Sequence, residues 1–527
     1  MNRIFTSLLA ILLAISGLKA QQQHAPKLVV CINIDQLRGD YLEYFKHTFG
    51  EHGFKRLLND AVVYRHVQYE FGNIDRANAS ATVFTGSNPC YHSITGVTRY
   101  DFDKELERSC LYDAHYLGNY THQNFSPKNL LSSTIGDELK LASKGASLVY
   151  GIAPEAENAI ISAGHAADGA FWLDDYNGKW ATTTFYKNIP KYVDKLNSGQ
   201  ESLSQRLPSI IWEPLLATDK YSSLPYITDK KPYKYTFNEK EVGCYQRFKT
   251  SAYINPEITR LAVQFINSGE LGSHPTPDLL SLTYYGGNFA DVQSQTYTCE
   301  VQDIYYLLDK SLEELFTAID KKVGLQKTLI IVTGTGYYTD ISIEPEDETT
   351  VGGTFYPKRC IAMLNMFLRA AYGQKDWVTG YHNQQIFLNR KIVEDEKLDL
   401  DAFQKKAAEF IAEFSGVQQV TTDLTLRAGE WNEGSATLRY GTYHIGRGDL
   451  IIELMPGWGV EDEQTGKKAK IKRNNAVITP LYLYGNGLKT NHIDRTVYAT
   501  EIAPTITNAL RIKAPNACSD LPLVEVK

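Results

Sequence analysis

The sequence predicts an α/β protein built on a mainly parallel sheet with helices on both faces, and three observations carry that reading. Short apolar, β-branched runs recur along the chain and end in polar residues, as strands buried on both faces do. Stretches with apolar residues at helical spacing separate several of these runs, and strand then helix, repeated, is the pattern of a covered parallel sheet. The stretch 185–255 breaks the rhythm, is rich in Pro, Tyr and Lys, and reads as a cap inserted into the sheet domain.

The first strand is Lys27-Leu-Val-Val-Cys-Ile-Asn-Ile34, closed by Asp35. A helix is expected over 39–58, where Tyr41, Phe45, Phe49, Phe54, Leu57 and Leu58 fall mostly at helical spacing. Further strands are predicted at 147–152, 158–162, 279–284, 328–333, 449–454 and 481–484. Helices are predicted at 134–142, 258–266, 302–323, 358–372, 400–414 and 499–510. In such a sheet the chemistry belongs at the carboxyl ends of the strands. The places to look are therefore Asp35, the segment 73–82, Tyr284 to Asn288, and Gly334-Thr-Gly336.

Composition narrows the class of function. Hydrophobic residues make up 43% of the 527 and charged residues 22%, which excludes disorder, a coiled coil and a collagen-like fibre. The net charge is −7 and the basic residues are interspersed with acids, so no basic face is on offer to nucleic acid. The 34 tyrosines suit a binding groove, although packing in core and sheet is their simpler use.

Residues 1–20 have a positive start, a short apolar run and a small residue at Ala20, the pattern of a cleavable secretory signal. The expected mature chain is exported to the periplasm or cell surface, with 21–527 as its α/β domain. No window approaches the roughly 20 apolar residues of a membrane span, so no transmembrane anchor is expected. Seven cysteines lie at 31, 90, 110, 244, 299, 360 and 518, none at zinc-finger spacing. One or two disulfides are open to them, Cys90 and Cys110 being the closest in sequence, while Cys31 reads as a small buried hydrophobe.

The run Ile34-Asp-Gln-Leu-Arg-Gly-Asp-Tyr41 resembles the opening of the alkaline phosphatase superfamily. So do Thr85-Gly-Ser-Asn-Pro89, the stretch from Ala163-Gly-His to Trp172, Gly380-Tyr-His-Asn383 and Thr500-Glu-Ile-Ala-Pro-Thr505. The pattern is most similar to secreted bacterial alkaline phosphatases related to nucleotide pyrophosphatase/phosphodiesterases, and it runs from about residue 27 to the C-terminus. The resemblance implies an alkaline-phosphatase-like sandwich. It also implies two-zinc phosphoryl transfer, with a Thr or Ser nucleophile, six Asp and His ligands, and Asn, Lys and Arg on the phosphoryl oxygens.

Carried onto this sequence, those roles leave a degenerate site. Asp35 is the only ligand-type residue kept. The nucleophile position falls on Arg76, which has no acceptor and stays protonated. The Asn position is Val97, and the Lys-x-Arg pair is Glu155-Ala-Glu157. Metal positions fall on Tyr284, Asn288, Thr335 and Gly336, and Thr465 to Thr479 contains no histidine for the last one. The residues alone agree, because four of the twelve histidines follow residue 270 and no Asp-His or Asp-x-x-x-His occurs.

Each residue also has a plainer use. Asp35 can cap a turn, and Arg76 can pair with Asp35, Asp75, Glu155 or Glu157. His165 and His382 read as hydrogen-bonded structural histidines. Asp168, Asp174, Asp175 and Asp340 read as turn or cap carboxylates, and Ser80 or Thr82 as a displaced nucleophile lacks a base. The expectation is an exported, catalytically inactive pseudoenzyme without a cofactor, binding an envelope protein or glycan, with a ligand pocket at Asp35, Arg76, Glu155 and Glu157. The alternatives are an active zinc-dependent phosphoric ester hydrolase and, third, a binder of an organic cation or sugar.

Overall fold

A computed structural model of the chain describes residues 25–526 apart from 102–103, 105, 187–188, 224–231, 269, 291–297, 339–351, 430–432, 463–466 and 472–476. The expected secretory signal and Asp340 lie outside the described residues. The centre is a ten-stranded sheet. In chain order its strands are β1 (Leu28–Asp35), β2 (Val62–Gln68), β3 (Gly118–Asn119), β4 (Val149–Ala153) and β5 (Gly169–Leu173). They continue with β6 (Trp180–Thr183), β7 (Asp278–Tyr285), β8 (Thr328–Gly334), β9 (Thr479–Gly485) and β10 (Asn491–Tyr498). The spatial order is β10-β2-β9-β8-β1-β7-β4-β5-β6-β3, with β9 and β6 running against the rest.

The three central strands β8, β1 and β7 are buried along their whole length, which is why they read as continuous apolar runs. One core lies on the face covered by α3 (Ile254–Ser268) and α4 (Thr298–Lys322). The opposite face carries α1 (Arg76–Thr85), α2 (Ala156–Ala163) and the C-terminal helix Ile502–Leu510. Residues 185–255 contribute short helices and the two-residue strands Ile211–Trp212 and Tyr235–Thr236, and their Trp212, Phe237 and Phe248 join the α3/α4 core. Buried Asp303 of α4 fastens this stretch, accepting from Trp212 Nε1 at 3.0 Å, Tyr221 Oη at 2.7 Å, Leu215 N at 3.1 Å and the Tyr233 hydroxyl.

A smaller four-stranded sheet, ordered Val378–His382, Gln385–Leu388, Leu450–Leu454, Val417–Thr422, packs with helices Pro357–Tyr372 and Leu400–Ala412 around its own core. The strand read at 449–454 belongs there and not to the central sheet.

Two elements differ from the sequence reading. The run 158–162, expected as a strand, lies within α2, because a short apolar run is ambiguous between strand and helix. The helix fits there because Gly151 on β4 carries no side chain, and a Cβ at that position would meet Ala159 O at 2.3 Å. The helix expected over 39–58 is broken into Gly39–Tyr44, Lys46–Thr48 and Phe54–Asp60. Buried Asp309 takes the backbone N–H of Gly50 and of Phe54, each at 2.8 Å, and a Cβ on Gly53 would collide with it. All seven cysteines are free thiols and no disulfide joins them; Cys31 is buried in β1 as expected. Among the described residues no helix is long and apolar enough to cross a membrane.

Candidate functional site

Parallel pairing sets the site. The register places Asp35 beside Tyr285 of β7 and Ile34 beside Gly334 of β8, so Asp35, Tyr285 and Thr335 leave the sheet at one edge. Two helices on the same face start there. Asp75 caps α1 by accepting from Ala77 N and Asn78 N, while Asn78 Oδ1 accepts from Asp75 N at 2.9 Å, a closed capping box that fixes where Arg76 emerges. Small residues at Ala77, Ala79 and Ala81 let α1 lie close against α2, and Asn158 of α2 donates to Ser80 Oγ at 2.9 Å. Glu155 and Glu157 therefore stand at the start of α2 beside Arg76.

The charges pair off. Arg76 Nε meets Glu157 Oε2 at 3.2 Å, with side-chain exposures of 31% and 12%. Glu155 is held by Lys249 at 3.0 Å, and Lys249, 3% exposed, also meets Asp175 at 2.5 Å. A buried lysine from residues 185–255 thus stands with the two carboxylates that take the Lys-x-Arg positions. The sequence held no signal for it, since 94 residues separate Lys249 from Glu155. Burial opposes the Arg76 charge, but Glu157 and then Glu155 outweigh it and hold the guanidinium well above its ordinary value. Glu155 is lowered, Lys249 and Arg76 overcoming the burial that would raise it.

Asp35 accepts from Thr335 Oγ1 at 3.1 Å and from the Tyr337 hydroxyl. Burial pushes its carboxyl up to about 6, against the opposing pull of Arg76 and the two hydroxyls. Tyr337 is raised in turn, by burial first and the Asp35 charge second. Thr335 is a working part of this edge, because its hydroxyl also accepts from Gln36 N at 2.9 Å.

The remaining sequence candidates scatter. Tyr284 does not join the site: its hydroxyl meets Thr259 of α3 at 2.7 Å on the other face, and Tyr285 is the residue that stands beside Asp35. Strand alternation explains this, since neighbouring side chains leave opposite faces. Asn288 accepts from Tyr338 Oη at 2.7 Å. Val97 meets the site through its backbone, donating to Asp75 Oδ2 at 2.8 Å. Gly336 has φ +69°, and a Cβ there would sit 2.3 Å from the Tyr69 ring, so Tyr69 occupies the space of any side chain at 336. Tyr69 and Tyr337 were missed by sequence reasoning, because nothing local marks an aromatic that fills a ligand's place.

The histidines and turn acids have structural partners. His165 bonds Asp137 at 3.0 Å and Leu130 O at 2.9 Å, and His382 meets Thr98 Oγ1 at 3.0 Å. Asp174 accepts from Tyr176 N and Asn177 N, and Asp168 from Lys140 and Val149 N. Thr82 Oγ1 donates to Asn78 O and lies 3.3 Å from His92, a fully buried ring pulled down to about 3 by burial.

The sequence profile of the type I phosphodiesterase / nucleotide pyrophosphatase family matches residues 29–476. The alkaline phosphatase PafA of Elizabethkingia meningoseptica is 28% identical, over 98% of each chain. The alkaline phosphatase PhoV of Synechococcus elongatus is 26% identical over 93% of this chain and 91% of its own. The crystal structure of wild-type alkaline phosphatase PafA superposes with a TM-score of 0.82 at 26% identity, covering 95% of this chain and 99% of that one.

These relatives overturn the expectation that the chain goes without a cofactor: zinc is the cofactor that kinship with alkaline phosphatases implies. The strand-end residues do not fit a pair of zinc ions. Among the described residues no group of three or more His, Cys, Asp or Glu is arranged to hold a metal, Asp35 is taken by two hydroxyls, and Tyr69 fills the place beside Gly336. On its sequence profile and its fold, the chain is a member of the type I phosphodiesterase / nucleotide pyrophosphatase family within the alkaline phosphatase superfamily.

Proposed function

We propose that the chain is a catalytically inactive member of this family, exported by its first twenty residues and retained as a binding or assembly component of the cell envelope. One observation carries the reading: Arg76 stands at the start of α1, where the resemblance puts the nucleophile, and is ion-paired with Glu157. A guanidinium has no lone pair with which to attack phosphorus. The degenerate positions are Arg76, Val97, Glu155 and Glu157, with Asn288, Thr335 and Gly336 in place of metal ligands, Tyr285 rather than Tyr284 beside Asp35, and Asp35 the ligand-type residue retained. An envelope protein or a glycan is the partner class, and the pocket at Asp35, Arg76, Glu155 and Glu157 is one candidate surface.

A second reading, an active phosphoric ester hydrolase, is favoured by the alkaline phosphatase relatives that span nearly the whole chain. Turnover separates the two. The purified mature chain, supplied with zinc, is expected to leave nitrophenyl phosphate and bis-nitrophenyl phosphate unhydrolysed above the buffer blank. Hydrolysis that disappears in Asp35→Ala would establish the second reading instead.

A further inference from the structure

A cavity of about 310 Å³ opens between the smaller sheet and the hairpin strand Thr98–Asp101, lined among others by Tyr100, Leu388, Arg390, Arg427, His444 and Arg447. None of its lining residues belongs to the strand-end site. Its volume falls at the lower end of the roughly 300–1,000 Å³ typical of small-molecule sites.

Among the described residues the charges around it are short of an anion. Asp423, fully buried, receives Arg390 Nη2 at 3.2 Å, Arg427 Nη2 at 2.8 Å and Arg447 Nη1 at 3.2 Å. Asp449 receives Arg390 Nε at 2.7 Å and is already bonded to Gln404 Nε2 at 2.7 Å and Leu388 N at 2.8 Å. Among the described residues three guanidiniums thus face two carboxylates, and the His444 ring adds no negative charge.

The Arg447 side chain is only 5% exposed, yet its Nε–H has no acceptor among the described residues. Buried N–H groups of charged side chains are rarely left so. Burial pulls the Arg447 guanidinium below its ordinary value, and neighbouring Arg427 pulls the same way, against the opposing effect of Asp423. Tyr100, stacked on Phe387 with ring centroids 4.5 Å apart, closes one wall with a fixed aromatic surface.

We propose that this cavity binds a small phosphate or sulfate ester, its oxyanion taken by the Arg447 guanidinium and the free donors of Arg427, its organic group lying against Tyr100 and Leu388. Guanidinium forks match tetrahedral oxyanions through paired N–H groups, and the cavity has room for more than the anion alone. The surplus positive charge gives the ester a place that a neutral molecule would not find.

Calorimetric titration of the mature chain in a zwitterionic buffer near neutral pH tests this, with phenyl phosphate, phenyl sulfate, inorganic phosphate, inorganic sulfate and benzyl alcohol as probes. One or both aryl esters should bind saturably and more tightly than the bare ions, and benzyl alcohol should not bind. Affinity should fall about tenfold or more in Arg427→Gln and in Arg447→Lys, as loss of one charge-assisted hydrogen bond implies. It should hold in Arg76→Gln, which perturbs the strand-end site instead. Arg427 is half exposed, so its variant folds even where a change at Arg447 does not. Absence of saturable ester binding would overturn the proposal, as would unchanged affinity in Arg427→Gln, loss of affinity in Arg76→Gln, or equal affinity for bare ions and esters.

Discussion

Removing the Arg76 guanidinium exposes how the strand-end site is held. In Arg76→Ala, Glu157 loses the partner 3.2 Å away, and the Glu155–Glu157 pair keeps Lys249 as its one ion-paired cation among the described residues. Breaking a fully buried ion pair costs about 3–5 kcal/mol, while an exposed pair contributes 0–1 kcal/mol. With Arg76 nearly a third exposed and Glu157 mostly buried, the expected loss lies between these limits, about 2 kcal/mol. Much of that is the unpaired carboxylate, so adding Glu157→Gln should restore about half of it. Urea unfolding of the wild type, both single variants and the double variant at neutral pH supplies the cycle. Raising the salt to about 1 M should shrink the coupling only partly, since a half-buried pair is screened less than a surface one. A loss in Arg76→Ala below about 0.5 kcal/mol, or strict additivity of the two changes, would mean the arginine is a solvated side chain, and the account of a rebuilt site would fall with it.

Four further outcomes are expected. Buried His92 is held near a pKa of about 3, well below the value near 6.5 of an unfolded histidine, so its neutral form stabilises the fold above pH about 6.5 and that contribution is lost as pH falls toward 3. Between pH 6.5 and 4 it should remove about 3 kcal/mol of urea stability, and a His92→Phe variant that keeps the wild-type pH slope would contradict this. Asp303→Asn leaves four donors competing for one amide oxygen; it should cost about 2–3 kcal/mol, and limited proteolysis should open the chain first near 207–223. Gly336→Ala must accept φ +69° and a Cβ 2.3 Å from the Tyr69 ring, so a loss of about 2–4 kcal/mol is expected, smaller in a Tyr69→Ala background; equal losses in both backgrounds would exonerate the ring. Arg76→Thr restores a hydroxyl at the nucleophile position but leaves Tyr69, Glu155 and Glu157 in place, so with zinc supplied nitrophenyl phosphate should still not turn over.

What the sequence determined by itself is the architecture and the identity of the residues at the strand ends. The continuous apolar, β-branched runs of β1, β7 and β8 read as strands covered on both faces, and Asp35 at the end of the first marks the working edge without any coordinates. Arg76 was legible through the resemblance, whose nucleophile position falls on it, and the structure places it at the start of α1. Tertiary structure decided what those residues touch. Lys249 reaches Glu155 across 94 residues of chain, Tyr69 fills the space at Gly336, and Tyr285 replaces Tyr284 beside Asp35 because strand register chooses the face. The smaller sheet and its arginine cavity belong to the same class: Arg390, Arg427 and Arg447 lie far apart in sequence and converge only because Asp423 and Asp449 are buried between them. Local periodicity is set by each segment's own side chains, whereas charge partners and filled volumes are set by contacts between distant segments, and only the folded chain specifies those.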